Sequence, residues 1–477
     1  MSTARRRTAA AAVILSGSLL LASCGGSGGS TSDGKTLRLW HYEGPTSAMG
    51  VAWNEAIKEF EASHPGVKVK YEEKSFEQIQ KTAQMVLNSS DAPDIMEYNK
   101  GNATAGLLSK QGLLTDLTAE ATERGWDKKL SAGVRTTSRY DADGVMGSGK
   151  WYGVPDYAEY TMVYYNKALF KKYGIAEPKT FDDLTAAMDE FVENKVTPLA
   201  NAGSEYMAQQ YLYQLALTKA DRSWVDSYEL YQGKVDFHDT AWTYAATTFA
   251  DWVKKGYIAK TSSGTTAEQA GVSFIQGKAP ILFSGSWWYG RFQSEAAFDW
   301  GSFLWPGSDL TLGSGGNLWV VPKNSENKDL AYDFIDITLS KKIQNLLGNK
   351  GGVPVAADAS AITDPKSQQL IADFNTLSAR DGLAFYPDWP IAGFYDTLVS
   401  ETQKLITGSE KPDAYLSNLQ TAYDKGSKCA PPGGARAPRA RAPPPAPRPT
   451  RAAPATPTPS SSSPAPSPSS RSSSSRS

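Results

Sequence analysis

The feature that most restricts the fold of this chain is the alternation of strand-like and helix-like segments between residues 37 and 98. Apolar residues recur at helical spacing in two of these segments and alternate with polar residues in others. Five segments follow one another: a strand over Leu37–Trp40, a helix over Ala48–Ser63, a strand in VKVKYEE, a helix over Phe76–Leu87 and a strand that begins at residues 93–96. This order predicts a parallel or mostly parallel sheet with helices on its faces.

The loops that follow the first and third predicted strands are rich in polar and aromatic residues. They read His41-Tyr42-Glu43-Gly44 and Glu97-Tyr98-Asn99-Lys100. Ligands of open parallel sheets bind beyond the carboxyl ends of the strands, so we expect these loops to border a binding site.

Alternation of strands and helices continues from about Tyr157. Thr180 precedes a helix with acidic residues in its first turn, as expected of an N-cap. GKAPILFSGSWWYGRF reads as strand, turn and helix, and we predict one long helix over Asp329–Asn349. A last helix, predicted over Pro412–Lys425, has Pro in its first turn and Gly426 past its end.

The amino terminus has the pattern of a lipoprotein signal. Arg5–Arg7 precede an apolar run that is too short for a membrane-spanning helix. Leu21-Ala22-Ser23-Cys24 resembles a bacterial lipobox, whose cysteine is lipidated, and a Gly/Ser-rich tether follows. The alternative is an ordinary secretory signal with a stray cysteine.

The carboxyl-terminal segment differs sharply from the rest of the chain. From Ala430 to Ser477 it contains only Ala, Pro, Arg, Gly, Ser and Thr, so we expect it to be disordered. Two interpretations remain open: a genuine Pro/Ser-rich extension, or translation of GC-rich DNA in a shifted reading frame. The gene sequence around Lys428 distinguishes them.

Without its two ends, the chain is acidic. Of the 49 basic residues, three are Arg5–Arg7 and seven lie in the tail, which leaves 39 against 50 acidic residues. This balance argues against nucleic acid and anionic membranes as partners. The only cysteines, Cys24 and Cys429, border the two ends, so no disulfide is expected in the body.

Several stretches together resemble the extracellular carbohydrate-binding proteins of ABC importers, the group that includes the maltose-binding protein. They are LRLWHYEG, WNEAIKEFEASHPGVKVKYEE, APDIMEYNKGN, WYGVPDYAEYTMVYYNKALFKKYGI, FIQGKAPILFSGSWW, GGNLWVVPKNSENKDLAYDFIDITLS and KGGVPV. The resemblance implies an α/β periplasmic-binding-protein fold with two lobes, a ligand cleft between them and a hinge that the chain crosses three times. The crossings are expected near Val154, near Asn317–Val320 and near Ala379–Leu383.

The resemblance gives the following domain boundaries. Residues 1–23 are the signal peptide and 24–34 the tether; lobe 1 comprises 35–153 plus 321–379, lobe 2 comprises 154–320 plus 380–428, and 429–477 form the tail.

SGSWWYGRF supplies the first candidate ligand contacts. Adjacent helical residues point about 100° apart, so Trp287, Trp288 and Tyr289 cannot share one buried face. Trp287 and Tyr289 match a Trp-x-aromatic stacking element of the family, whereas we expect Trp288 in the core. Arg291, one turn beyond Trp287, is a candidate for contacting hydroxyls; the alternative is a surface arginine.

The resemblance implies further contacts to the faces and hydroxyls of a sugar. The candidate carboxylates are Glu159, Glu43 and Asp388; the aromatic candidates are Tyr98, Trp389 and Tyr206; the amide candidates are Asn102 and Asn317. The loop that contains Glu43 departs in detail from the family pattern, which puts the identity of the sugar in doubt.

We therefore expect a monomeric binding protein, anchored by lipid at Cys24 to the outer side of the cell membrane, that delivers a di- or oligosaccharide to ABC permease subunits. No cofactor or metal is expected, because the histidines, His41, His64 and His238, are widely spaced. Two alternatives remain: a binder of a non-sugar solute, and a secreted glycosidase that uses two carboxylates such as Glu43 and Glu159.

Overall fold

The computed structural model describes residues 35–427, which contain two main sheets surrounded by helices. The strands are β1 (Thr36–His41), β2 (Lys68–Glu73), β3 (Ile95–Tyr98), β4 (Arg139–Tyr140), β5 (Lys150–Trp151), β6 (Val154–Pro155), β7 (Ala158–Asn166), β8 (Leu199–Ala200), β9 (Ile281–Gly285), β10 (Trp300–Phe303), β11 (Gly313–Gly315) and β12 (Leu318–Val320).

The α-helices are α1 (Ala48–Ser63), α2 (Phe76–Leu87), α3 (Leu107–Lys110), α4 (Thr118–Glu123), α5 (Trp126–Lys129), α6 (Ala132–Arg135), α7 (Lys167–Tyr173), α8 (Phe181–Glu193), α9 (Tyr206–Leu217), α10 (Arg222–Leu230), α11 (Thr240–Lys255), α12 (Ala267–Ile275), α13 (Tyr289–Glu295), α14 (Lys328–Thr338), α15 (Lys341–Asn349), α16 (Pro365–Ala379), α17 (Phe394–Thr407) and α18 (Pro412–Ser427). Short 3₁₀ segments cover Thr136–Ser138, Lys260–Gly264, Ser286–Trp288 and Ala359–Ala361, and a π-helical turn covers Asn102–Gly106.

The first sheet has the strand order β2-β1-β3-β12-β6. β1 is parallel to β2 and β3, which confirms the predicted parallel pairing, whereas β12 is antiparallel to β3 and β6. Helices α1 and α2 have the predicted bounds, because their buried apolar residues recur at helical spacing. Trp53 of α1 packs edge-on against Trp319 of β12, with ring centroids 5.5 Å apart.

The second sheet has the order β10-β7-β9-β8, and β11 also pairs with β7. Every residue of β7 is buried, as expected of a central strand. Tyr164 of β7 packs edge-on against Phe292 of α13 at 4.7 Å. The predicted strand, turn and helix around SGSWWYGRF are confirmed as β9, a 3₁₀ turn and α13.

Local capping explains one success and one failure of the predicted helices. Thr180 caps α8 as predicted, in a reciprocal capping box with Asp183. The single helix predicted over Asp329–Asn349 is wrong, because the chain forms α14 and α15 with a break between them. Ser340 causes the second helix to start anew: its hydroxyl accepts a hydrogen bond from the amide of Ile343.

Short connections join the two sheets. Asp156 and Tyr157 lie between β6 of the first sheet and β7 of the second, and Gly316 and Asn317 lie between β11 and β12. The α/β class is confirmed, while the exact lobe boundaries stay predictions. The signal peptide, the tether, Cys24 and the predicted tail lie outside the described residues. None of the helices between residues 35 and 427 has the length and apolar character that a membrane crossing needs.

Candidate functional site

A buried ion pair links the two sheets. Lys100 follows the carboxyl end of β3, and Glu159 lies at the start of β7. The Lys100 ammonium pairs with the Glu159 carboxylate and donates a hydrogen bond to Asn317 Oδ1 at 3.0 Å. Only 3% of Lys100 and 4% of Glu159 is exposed, so the pair is held away from water. The strand ends of both sheets therefore meet at this point.

Tyr157 completes the hydrogen bonds around Glu159. Its hydroxyl donates to Glu159 Oε2 at 3.0 Å and accepts from Asn317 Nδ2 at 2.9 Å. Both Tyr157 and Asn317 lie in the connections between the sheets. Because Glu159 receives donors from two elements, its position is fixed before any ligand arrives.

Four aromatic side chains from different parts of the chain pack one against the next near Lys100. We call them the aromatic row: Tyr206, Trp287, Tyr386 and Trp389. Successive ring centroids are 5.8 Å, 6.2 Å and 5.3 Å apart. The indole of Trp287 also donates to the hydroxyl of Tyr206 at 3.1 Å. The Lys100 ammonium lies 5.5 Å from the ring centres of Tyr386 and Trp389, within the range of a cation–π interaction. The row thus adjoins the ion pair.

Three further carboxyls lie in or just after strands of the first sheet, and we call them the carboxyl cluster: Glu43, Glu97 and Asp156. Burial raises the pKa of Glu43 to about 7, and burial followed by repulsion from Glu43 raises the pKa of Glu97 and Asp156 far above the usual range. Among residues 35–427, neither oxygen of Asp156 nor Oε1 of Glu97 has a hydrogen-bond partner. Burial and repulsion between these carboxyls disfavour their charged forms, so Glu97 and Asp156 favour the protonated state.

Asp388 is a separate buried carboxyl next to the aromatic row. It precedes Trp389 and is 8% exposed. Burial raises its pKa to about 7, because removal from water disfavours the charged form. Asp388 is therefore poised between its neutral and ionised states near neutral pH.

Two predicted contacts from SGSWWYGRF lie away from the aromatic row. Tyr289 is buried edge-on against Trp300 at 4.9 Å, and its hydroxyl donates to the carbonyl of Lys366. Arg291 forms ion pairs with Glu268 and Glu295 and stacks over Trp288 at 4.8 Å. Neither side chain joins the aromatic row by a described contact, and the expectation that Tyr289 and Arg291 bind the ligand stays a prediction.

Trp288 packs in the core, as expected. It stacks on Phe292, with ring centroids 5.7 Å apart, and leaves no room for a side chain at Gly271. Trp287 alone of the three consecutive aromatics joins the aromatic row.

The described contacts of Tyr98 and Asn102 are with other parts of the fold. Tyr98 is buried in β3, directly opposite Leu318 of β12. The amide of Asn102 donates to the carbonyl of Glu229 at 2.7 Å and accepts from the backbone of Met146 at 2.8 Å. Asn102 therefore ties the loop after β3 to two other segments, and neither residue joins the aromatic row by a described contact.

Sequence reasoning missed Lys100, Tyr386, Glu97 and Asp156. Lys100 lies in the loop after β3 and Glu97 within β3 itself, in a segment that the sequence predicted as a loop bordering the site, and Tyr386 lies two residues before a recognised aspartate. Nothing in the local sequence indicates that Lys100 meets Glu159, because that contact depends on how the two sheets face each other. Between residues 35 and 427, no group of three or more His, Cys, Asp or Glu side chains is arranged to hold a metal ion.

Comparisons with known proteins agree on one family. The family model described as "Bacterial extracellular solute-binding protein" matches residues 44–345. A Mesorhizobium japonicum protein named "Probable sugar-binding periplasmic protein" is 28% identical over 52% of this chain and 58% of its own length. The "Multiple sugar-binding protein" of Streptococcus mutans is 25% identical over 66% of this chain and 74% of its own. The chain thus spans little more than half of the first of these relatives.

Solved structures share the fold. A structure titled "Chitin oligosaccharide binding protein" superposes with a TM-score of 0.72 at 23% identity, covering 83% of this chain and all of the other. A structure titled "SBP RafE in complex with raffinose" gives a TM-score of 0.66 at 18% identity, covering 82% of this chain and 99% of the other. At such identities the likeness establishes the fold.

Proposed function

Because this chain belongs to the bacterial extracellular solute-binding protein family, we propose that it captures a sugar, a di- or oligosaccharide, between its two sheets and delivers it to the permease of an ABC importer. The family consists of binding proteins, so the expected class is confirmed and the glycosidase alternative is set aside. The observation that carries the sugar proposal is the aromatic row beside Lys100, Glu159 and Asp388.

The chemistry of this group suits a sugar. Pyranose rings have apolar faces that stack on aromatic side chains, and Trp287 and Trp389 offer such faces. Their hydroxyls need hydrogen-bond partners of both kinds, which Lys100, Glu159 and Asp388 supply as donor and acceptors. The names of the relatives, which include sugar-binding proteins of two bacteria, support the same class.

Capture is coupled to closure of the two halves. Lys100 belongs to the first sheet and Glu159 to the second, so a ligand that contacts both favours the arrangement in which they are close. Tyr395 of α17 donates a hydrogen bond to Glu77 of α2, a second link between elements of the two predicted lobes. Only the differential affinity of the sugar for this arrangement shifts the equilibrium.

Anchoring at the outer face of the membrane is the remaining part of the proposal. It rests on Leu21-Ala22-Ser23-Cys24 and the tether behind it. Mass spectrometry of the mature amino terminus tests it: a lipid mass on Cys24 is expected, and an unmodified terminus contradicts it.

Titration calorimetry of the purified protein against a panel of neutral sugars, amino sugars, peptides and inorganic phosphate tests the ligand class. Saturable binding of a sugar without turnover is expected. If a peptide or phosphate binds and no sugar does, the sugar proposal fails. Release of product from an oligosaccharide would contradict the binding-protein role.

A further inference from the structure

Among the described residues, buried acidic side chains far outnumber buried basic ones. Among side chains classed as buried, eight carboxyls stand against one lysine and no arginine. Asp94 and Glu401 have their own donors in other parts of the fold, from Arg38 and Lys404 among others. The remaining six are Glu43, Glu97, Asp156, Glu159, Glu229 and Asp388. Buried carboxyls are normally either protonated or paired with a cation, so this excess offers a place for a ligand cation wherever one of them is ionised.

Lys100 does not meet that need. Its ammonium already has the Glu159 carboxylate and the Asn317 amide oxygen as partners. Within residues 35–427, Asp388 forms neither an ion pair nor a side-chain hydrogen bond with another residue, and Glu43 receives a donor only from Ser47 outside the carboxyl cluster. The Lys100 ammonium is therefore paired with Glu159 and not with Asp388.

A separate observation points to a missing polar partner at the same place. Tyr386 is 4% exposed, and its buried hydroxyl lies beside Glu159 without a hydrogen bond of good geometry. Its ring packs against Trp389 and Trp287 in the aromatic row. Buried hydroxyls are almost always hydrogen-bonded, so a ligand atom is the natural partner here.

An ammonium group of the protein, that of Lys100, already lies against the aromatic row. The Lys100 nitrogen lies 5.5 Å from the centres of two rings, Tyr386 and Trp389. Aromatic faces next to a carboxylate form a favourable environment for a cation. Asp388 is the carboxyl adjacent in sequence to Trp389, and it lacks such a cation.

We propose that the sugar this protein captures is an amino sugar with a free ammonium group, and that the ammonium binds at Asp388 beside the rings of Tyr386 and Trp389. The inference rests on the proposed sugar-binding function. A neutral sugar satisfies hydrogen bonds but leaves an ionised Asp388 without a cation, whereas an ammonium supplies a charge and three donors. Burial holds the pKa of Asp388 near neutrality, so a bound cation readily stabilises the ionised form.

Matched ligand sets test the inference by titration calorimetry of the purified protein near neutral pH. Each set contains the hydroxyl, amino and N-acetylamino forms of one sugar: glucose, galactose, mannose, and the β-linked and α-linked dimers of glucose. In at least one set we expect the amino form to bind about tenfold more tightly than both others. If no amino form binds more tightly than its hydroxyl counterpart, the inference is overturned.

Variants test the position. Asp388→Asn keeps the shape and removes the charge, so the preference for the amino form should fall below about threefold. Glu401→Gln is the matched control, because Glu401 is also 8% exposed and lies outside the site; it should keep the full preference. A full preference in Asp388→Asn would show that the ammonium binds elsewhere.

Failure of the inference is distinguishable from failure of the proposed function. If neutral sugars bind and amino sugars bind no better, the inference is wrong and the sugar-binding function stands. If no sugar of any kind binds, the proposed function itself is wrong.

Discussion

Lys100 and Glu159 form an ion pair across the two sheets, between residues 59 positions apart in the chain. One comes from the loop after a parallel strand of the first sheet and the other from the central strand of the second. The pair stands beside the aromatic row and links the two sheets, and we propose that it also offers a donor and an acceptor to a ligand.

Removing the lysine should destabilise the protein. Lys100→Met leaves Glu159 buried without its cation, and breaking a buried pair in this way costs about 3–5 kcal/mol. Urea unfolding followed by tryptophan fluorescence measures the loss. Lys58→Met, at an exposed lysine paired with the partly exposed Glu55, is the control and should leave the free energy of unfolding unchanged within error. Equal stability of Lys100→Met and the wild type would show that the pair contributes nothing.

Substitutions at the two adjacent tryptophans should separate binding from stability. Trp287→Ala removes a face of the aromatic row, so sugar affinity should fall about tenfold with a small change in stability. Trp288→Ala empties core space beside Gly271 and Phe292 and should cost about 3–5 kcal/mol of unfolding free energy. Calorimetry and urea unfolding report the two effects. Unchanged affinity in Trp287→Ala would exclude it as a platform.

Stability should decrease as the pH rises toward neutrality. Burial raises the pKa of Asp388 to about 7, whereas a carboxyl of this type titrates near 4 in an unfolded chain. The folded state keeps a proton that the unfolded state releases, so the stabilisation is complete below about pH 4 and is lost as the pH passes through 7. Each such group should lower the free energy of unfolding by about 1.4 kcal/mol per pH unit between about pH 5 and about pH 7.

Urea unfolding at a series of pH values measures that slope. Asp388→Asn cannot titrate and should reduce the slope by about 1.4 kcal/mol per pH unit, which leaves the contribution of the carboxyl cluster. Glu401→Gln is the control and should not, because hydrogen bonds from Lys404 and Asn418 hold the pKa of Glu401 below its usual range despite partial burial. An unreduced slope in Asp388→Asn would assign the whole effect to the carboxyl cluster instead.

Loss of the Tyr395 hydroxyl should weaken closure. Tyr395→Phe leaves the partly buried Glu77 without its donor, which should cost about 1 kcal/mol, or about fivefold in sugar affinity. Small-angle scattering of the ligand-free protein should show a larger radius of gyration. Tyr257→Phe removes an equivalent hydrogen bond to Asp189 within one predicted lobe and should change neither quantity. An identical effect in both variants would argue against a role in closure.

Local interactions explain what the sequence alone determined. Periodicity and capping within a few residues predict several elements correctly. These are the bounds of α1 and α2, the cap at Thr180 and the strand-turn-helix around SGSWWYGRF. The cap at Ser340 was equally local, but the continuous apolar pattern on either side obscured it.

Tertiary structure decided which of the recognised residues act together. The sequence indicated that Trp287, Trp288 and Tyr289 must point in different directions. The 3₁₀ turn between β9 and α13 brings Trp287 into the aromatic row, and α13 buries Tyr289 against Trp300. The pairing of Lys100 with Glu159 and the crowding of the carboxyl cluster arise only when distant strand ends converge. Burial then shifts the pKa values, because the energy of a charge depends on its three-dimensional surroundings rather than on its neighbours in the chain.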